Sequence, residues 1–176
     1  EVVYYDASLS SQDQNKVRSY LGIKYGITLG HNYLASDATV LWDATANAAY
    51  HNDVTGIGRD DKSVLDQQKS LSINSDGMVI MDNGAAFSSD LDFIFWGNDN
   101  GATTLTTTDK HPLYDNRLAR EWKVNTNGSP GPVTVRIIYA ANTGMATDYG
   151  LHVDADGTFA AGSTNYLATG ISGDTI

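Results

Sequence analysis

The stretch Asp92-Phe93-Ile94-Phe95-Trp96-Gly97-Asn98-Asp99-Asn100-Gly101 decides the fold that we expect for this chain. Its unbroken run of large apolar residues predicts a buried strand, because the run is too short for a buried helix. The run ends at Asn, Asp and Gly, which tolerate left-handed backbone and offer side-chain oxygens. Similar apolar runs lead into acidic loops at 40–43, 78–84 and 149–157. The pattern predicts strands that are joined by acidic loops.

From residue 38 onward the sequence has the alternation and closely spaced turn signals of a β-sandwich. Near the start, Ser10 and Asp13 form a capping-box-like helix start, and Gly22 or Gly26 provides a stop. We predict a mainly β fold, an antiparallel β-sandwich with one N-terminal α-helix that packs through Val17, Tyr20, Leu21 and Tyr25. The expected strands are 1–6, 39–42, 54–58, 68–73, 78–81, 92–96, 103–106, 121–125, 133–139, 149–153 and 166–169, with a loop at 30–37.

The composition limits the classes of function. A chain of 176 residues makes one ordinary domain, or one domain and a fragment, and without Cys it has neither disulfides nor thiolate sites. A formal net charge of −10 would repel phosphates, so we expect no nucleic-acid partner. No apolar run approaches the roughly 18 residues of a membrane span, so we expect no membrane insertion. Asp far outnumbers Glu, which suits loops that hold hard cations or that keep a β-rich surface soluble.

The strongest local motif is Asp154-Ala155-Asp156-Gly157-Thr158. Its alternate residues place two carboxylates and a hydroxyl on one side of a tight loop, as in the first half of an EF-hand loop. The distal bidentate Glu of that loop is missing. The motif therefore predicts a partial calcium site with Asp154, Asp156 and Thr158 as ligands, completed from elsewhere in the protein. A plain Asx turn between two strands is the alternative.

Two further loops are weaker candidates for a cation. One follows the buried strand and offers Asn98, Asp99 and Asn100, although an Asn-Asp-Asn-Gly hairpin turn needs no metal. The other lies in 56–61 and offers Asp60 and Asp61. In that loop we favour an ion pair of Arg59 with Asp60 or Asp61 over a cation site.

Catalysis finds little support in the sequence. There is no Gly-x-Ser-x-Gly elbow, and the four His residues lie far apart, with His152 expected to pack within a strand. Paired carboxylates would suit a polysaccharide hydrolase, but Glu, the commoner acid in such sites, is scarce. We therefore expect no enzyme, with a polysaccharide hydrolase as the alternative.

Tryptophan and arginine side chains could contact a ligand. Trp42, Trp96 and Trp122 lie among β-branched or aromatic neighbours and are predicted to be core residues; only an exposed row would make a glycan-binding face. Arg117 and Arg120 could hold a ligand carboxylate, but pairing with aspartates of the chain is favoured. The ligand-binding residues stay unassigned.

Several stretches together resemble a family of bacterial surface modules. Residues 1–10 and 17–29 resemble the last strand and trailing helix of laminin-G/concanavalin-like modules in large bacterial surface proteins. A β-rich module often follows them in such proteins. Five further stretches resemble that module: 39–43, 56–61, Phe95-Trp96-Gly97-Asn98-Asp99, Arg120-Glu121-Trp122-Lys123-Val124 and 151–157. The resemblance implies that 1–30 is the tail of a preceding lectin-like domain packed on the sandwich module 31–176. It also implies strands after 154–157, so the last strand would be missing or supplied by another chain through strand addition.

Such modules are similar to parts of giant secreted adhesins, including calcium-dependent RTX-type adhesins. The resemblance implies calcium as the cofactor, cell adhesion and biofilm formation, and an extracellular place on the bacterial cell surface. It implies neighbouring domains of the same surface protein as partners. The favoured hypothesis is a non-enzymatic, calcium-stabilised adhesin module. The alternatives are a calcium-dependent domain that binds a glycan or peptide ligand, and a structural subunit of an extracellular assembly formed by strand addition.

Overall fold

The computed structural model describes residues 1–139, 149–170 and 175–176, which form antiparallel β-sheets and one α-helix, α1 (Ser11–Tyr25). The strands are β1 (Tyr33–Leu34), β2 (Val40–Trp42), β3 (Asn52–Asp60), β4 (Leu65–Gln67), β5 (Lys69–Ser70), β6 (Val79–Asp82), β7 (Phe93–Asn98), β8 (Leu105–Thr106), β9 (Arg117–Leu118), β10 (Trp122–Asn127), β11 (Thr134–Ile137), β12 (Gly150–Val153) and β13 (Thr164–Leu167). The predicted fold class, a mainly β antiparallel sandwich with one N-terminal α-helix, is confirmed.

The strands are arranged in sheets of two to four members. The four-stranded sheet has the order β10-β7-β3-β4, the three-stranded sheet has the order β11-β6-β5, and β1-β2, β8-β9 and β12-β13 are pairs. The chain divides into two compact units. The first unit comprises Glu1–Asp99 and Trp122–Val135, and the second comprises Asn100–Glu121 and Arg136–Ile176.

Helix α1 starts and stops where the sequence predicts. The hydroxyl of Ser10 accepts a hydrogen bond from the Asp13 backbone N–H (3.1 Å) and donates one to the Asp13 carboxylate (2.7 Å), as expected for an N-cap. The helix ends at Gly26, which has φ 65°, a left-handed conformation that glycine adopts without strain. A Cβ on Gly26 would also lie 2.2 Å from the carbonyl oxygen of Leu71.

The buried face of α1 differs from the predicted one. Ser19, Gly22 and Ile23 are its buried residues, whereas Tyr25 is exposed. Small side chains allow close approach: a Cβ on Gly22 would lie 3.1 Å from the side chains of Leu29 and Tyr33. Tyr20 of the predicted face does pack against the core, whereas Tyr25 does not. The prediction followed the helical spacing of large residues and so did not include Ser19, Gly22 and Ile23.

Three predicted strand assignments need correction. Residues 1–6 form no strand, and the predicted loop 30–37 contains β1, in which Tyr33 pairs with Trp42 of β2. Of the strand expected at 68–73 only β5 (Lys69–Ser70) forms, and β4 (Leu65–Gln67) precedes it outside the predicted range. The two strands lie in different sheets, because β4 pairs with β3 and β5 pairs with β6. The chain passes from one sheet to the other between these two strands. Such a corner has no hydrophobic periodicity from which it could be predicted.

The central pair β3–β7 sets glycines against aromatic rings. Gly56 pairs with Phe95 and Gly58 pairs with Phe93 in antiparallel register. A Cβ on Gly56 would meet the Phe95 ring at 3.0 Å, and one on Gly58 would meet the Phe93 ring at 2.0 Å. The Gly-Ile-Gly sequence therefore provides space for two phenylalanine rings within the sheet.

Both faces of the four-stranded sheet are covered within the first unit. On the face that carries Phe93 and Phe95, the Tyr33 ring lies 5.0 Å from the Phe95 ring, and Ile23 of α1 joins the same core. On the opposite face, the Trp96 indole N–H donates to the Val79 carbonyl of β6 (3.2 Å). Every residue of β7 is buried as a result, which explains its continuous apolar sequence.

The described residues of the second unit form two antiparallel strand pairs and a short terminal pairing. In the pair β12–β13, Gly150 lies opposite Leu167 and Val153 lies opposite Thr164. Ile176 exchanges two backbone hydrogen bonds with Ile137 (2.9 and 3.0 Å). The last described residues thus pair antiparallel to the end of β11.

We predict that Gly58→Ala destabilises the protein by roughly 1–3 kcal/mol, because the added methyl group would overlap the Phe93 ring. Gly30→Ala is the matched control, since a Cβ there has no neighbour within 4 Å. The control should change stability by less than about 1 kcal/mol. Urea unfolding monitored by tryptophan fluorescence measures both, and equal midpoints for the two variants would contradict this role of Gly58.

Candidate functional site

The loop that follows β12 is organised around the carboxylate of Asp154. Its Oδ1 accepts hydrogen bonds from the backbone N–H groups of Asp156 (2.8 Å), Gly157 (2.9 Å) and Thr158 (3.2 Å). The Oδ1 of Asp156 accepts a further bond from the Thr158 N–H (2.9 Å). Gly157 makes the turn with φ 82°. The predicted motif therefore folds as a nested Asx turn whose carboxylates are fixed by the backbone.

Asp156 also affects the carboxyl group of Asp154. The Asp156 backbone N–H, followed by the Asp156 side chain, lowers the pKa of Asp154. The Oδ2 of Asp154 lies 3.8 Å from the point that a Cβ on Gly162 would occupy. Since Oδ1 receives the amide hydrogen bonds, Oδ2 is the oxygen that remains for a cation.

The donor set of the Asp154 loop fits a hard cation, because carboxylate and hydroxyl oxygens are the ligands that Ca²⁺ prefers. Asp154 and Asp156 would hold the ion, and Thr158 offers a hydroxyl. Among residues 1–139, 149–170 and 175–176, no group of three or more His, Cys, Asp or Glu side chains is arranged for a metal. A cation at this loop would therefore draw its other ligands from neutral oxygens and water.

A third aspartate, which the sequence analysis did not single out, holds the same loop from outside. Asp109 accepts hydrogen bonds from the backbone N–H groups of Phe159 (3.1 Å) and Ala160 (2.9 Å). Asp109 itself has φ 48°. No sequence signal connects it to the motif, because about fifty residues separate the two. The structure thus combines two local aspartates and one distant aspartate around 154–160.

Arg117 packs over this loop. Its guanidinium lies 5.3 Å from the centroid of the Phe159 ring and pairs with Glu121 (2.7 Å). Arg120 is buried and donates to the Gly101 carbonyl (2.8 Å). Arg117 therefore pairs with one of the two glutamates, whereas an aspartate was expected.

Two histidines that are distant in sequence stack beneath the hairpin β12–β13. The rings of His111 and His152 lie 4.7 Å apart at an interplanar angle of 21°, and the Tyr114 ring meets His152 edge-on at 4.9 Å. The Nδ1 of His152 is buried without a hydrogen-bond partner. Burial, followed by the proximity of His111, lowers the pKa of His152. His152 packs within a strand, as predicted.

The Asn98 loop is built differently from the Asp154 loop. Asn98 is buried at the end of β7, and its amide donates to the carboxylate of Asp53 (2.7 Å), which also accepts from Asn74 (2.7 Å). Asp53 is itself buried and has φ 51°, and no local sequence signal marks it as the partner of Asn98. Asp99 is half-buried and Asn100 is exposed. A cation at Asn98, Asp99 and Asn100 stays a prediction.

Asp60 and Asp61 are directed to different partners. Asp60 is buried and accepts hydrogen bonds from the backbone N–H (2.8 Å) and hydroxyl (2.6 Å) of Ser36. Asp61 makes a bidentate pair with Arg59 at 2.6 and 3.0 Å. The favoured ion-paired turn is confirmed, and the two carboxylates are not brought together into one site.

Two of the three tryptophans are core residues, as predicted. Trp42 and Trp96 are fully buried, and the Trp42 indole N–H donates to His51 Nδ1 (2.9 Å). Trp122 is half-buried on β10. The buried rings of Trp42 and Trp96 offer no surface to a glycan.

No helix within the described part of the chain has the length and apolar character for crossing a membrane.

We predict that Asp109→Ala lowers the hydrogen-exchange protection of the Phe159 and Ala160 amides by about tenfold, because both lose their acceptor. Asp115→Ala is the control, since Asp115 is exposed. Amide exchange measured by NMR in calcium-free buffer gives the result. Unchanged protection at both amides would show that the carboxylate does not hold the loop.

The His111–His152 stack predicts a pH dependence. Because the pKa of His152 is lowered from 6.5 in the folded chain, the unfolded chain binds the proton more readily. Neutral, buried His152 therefore makes its full contribution to folding stability above pH 6.5. That contribution is lost as the pH falls below 6.5 toward the pKa of His152 in the folded chain. Protection factors of β12 and β13 amides at about pH 7.5 and about pH 5.5 measure the loss. His152→Phe should reduce the loss and His31→Phe should not; equal losses in all three proteins would contradict this role of His152.

Comparisons with known proteins identify a family. Searches among curated proteins and among solved structures found no match. A scan of family models matched residues 13–176 to the family described as "Domain of unknown function (DUF8202)". The match covers more than nine-tenths of the 176 residues. The chain belongs to the DUF8202 family.

Proposed function

We propose that this chain is a non-enzymatic, calcium-stabilised module of a secreted bacterial adhesin or surface protein, in which it supports cell adhesion. The observation that carries the proposal is the Asp154 loop. Its backbone N–H groups fix Oδ1 of Asp154 and Oδ1 of Asp156, so the carboxylates are oriented before any ion arrives. Orientation of the ligands in advance lowers the entropy cost of binding.

The negative charge of the loop favours calcium binding. Asp154 and Asp156 are both acidic, and the chain carries a formal net charge of −10. A divalent cation between the two carboxylates would be attracted to both. Because the loop is largely exposed and offers few carboxylates, we expect a Kd of about 10⁻⁴ to 10⁻³ M, the range of extracellular calcium modules. Such weak binding suits a protein that works outside the cell.

The hydrogen bonds of other aspartates in the chain support a structural role for the Asp154 loop. Asp60 accepts hydrogen bonds from Ser36 and Ser63, and Asp92 accepts from the backbone N–H groups of Ser89 (3.2 Å) and Ser129 (2.8 Å). These carboxylates fix loops through backbone amides. Calcium at Asp154 would extend the same role to an exposed loop.

A second candidate function is a structural subunit that assembles by strand addition. One observation favours it: Thr175 forms a bridge with Ile138, so a strand can pair beside the end of β11. In an assembly, a strand from another chain would take the place of residues 175–176. Concentration-dependent oligomers in size-exclusion chromatography would support this candidate.

We predict that calcium raises the melting temperature of the metal-stripped protein by roughly 3–10 °C at saturating concentration, because it binds only the folded loop. Asp154→Asn and Asp156→Asn should each abolish most of the rise. Thermal unfolding followed by circular dichroism, with calcium titrated from micromolar to millimolar concentrations, measures the effect.

Two controls make the calcium experiment specific. Asp115→Asn removes an exposed aspartate outside the loop and should keep the full rise. Magnesium should replace calcium poorly, because Mg²⁺ demands octahedral geometry and holds its water tightly. A melting temperature that does not respond to calcium in the folded wild-type protein would rule out the calcium-stabilised module.

A further inference from the structure

A cavity of about 500 Å³ lies in the first unit between α1 and the strands that it covers. Its floor is formed by buried apolar residues from separate elements: Ile23 of α1, Leu65 of β4 and Phe93 of β7. Val17 and Tyr20 of α1 form one wall. The three floor residues belong to the same hydrophobic core as Tyr33 and Phe95.

The roof of the cavity is the segment before the helix, residues 1–9, which we call the arm. Val3 and Tyr5 line the cavity, whereas Val2 and Tyr4 are 96% and 86% exposed. The Glu1 carboxylate holds the end of the arm to the Lys24 ammonium (2.8 Å). Among the described residues, the backbone of 1–8 makes no hydrogen bond to the rest of the unit. The arm therefore covers the cavity through side chains, and it can move without breaking a sheet.

The charged groups that line the cavity are either paired or exposed to water. Asp13 pairs with Lys16 (3.4 Å), and Asp60 is held by Ser36 and Ser63. Lys62 at the rim is exposed to water. The lining therefore does not require an opposite charge on a ligand, and apart from Ser36 and Ser63 its remaining residues are aliphatic or aromatic.

The cavity is partly open to solvent, so it is a cleft beside the core that a ligand can enter. Water against its apolar lining lacks hydrogen-bond partners. Pockets that take small molecules have volumes of about 300–1,000 Å³ and predominantly apolar walls. We propose that this cavity is a binding site for a small, neutral, largely apolar molecule, with the arm as its movable roof. The site is independent of the calcium loop, which lies in the second unit.

The neutral fluorescent probe N-phenyl-1-naphthylamine tests the site. We expect its emission to rise on titration with the folded protein and to saturate at one probe per chain. Ser63→Trp should weaken binding by about tenfold or more, because an indole would fill the cavity mouth. Val17→Trp, which fills the wall, should do the same. Ser88→Trp is the matched control, since Ser88 is exposed and does not line the cavity.

The variants are compared only where circular dichroism and urea unfolding match those of the wild type, and the two blocking positions provide alternatives if one variant does not fold. Saturable binding that both blocking variants lose and Ser88→Trp retains supports the proposal. The proposal is overturned if the folded wild type gives no saturable signal. It is equally overturned if a folded blocking variant binds the probe as tightly as the Ser88→Trp control does.

Discussion

The packing of two phenylalanine rings over two glycines is the constraint on which the first unit depends. Gly56 and Gly58 of β3 give space to Phe95 and Phe93 of β7, and this pairing fixes the register of the central sheet. A shift by one residue would place Ile57 against a ring and turn every side chain of the strand to the other face. The helix and the pair β1–β2 then cover the phenylalanine face. The buried β3–β7 pair thereby carries the loops that follow both strands.

Aspartate in this chain acts mainly through backbone amides. Asp60, Asp92, Asp109 and Asp154 each accept hydrogen bonds from N–H groups of residues that otherwise lack regular pairing. A short side chain can reach backbone amides a few residues away, which the longer glutamate does less well. This explains why the acidic residues are nearly all Asp in a fold with many loops. Calcium at the Asp154 loop would use oxygens that these hydrogen bonds leave available.

Sequence patterns predicted well the structural features that depend on residues close together in the sequence. The strand β7, the capping of α1 by Ser10 and Gly26, and the Asx turn at Asp154 all follow from nearby residues. The partners Asp109 and Asp53, the His111–His152 stack and the corner between β4 and β5 depend on tertiary contacts across many residues. No periodicity records such contacts. Residues 1–6 alternate as a strand would, but the alternation follows a cavity on one side and water on the other.

The proposed calcium site is tested most directly by residue-resolved amide NMR spectra of the metal-stripped protein during a calcium titration. The proposal predicts saturable shifts that are largest at Asp154–Thr158, with smaller shifts at Phe159 and Ala160, whose amides are held by Asp109. Little change is expected at Asp60 and Asp61, because their carboxylates are bound to different partners. Shifts that are absent, or that are spread over all exposed aspartates without saturation, would contradict a built calcium site at this loop.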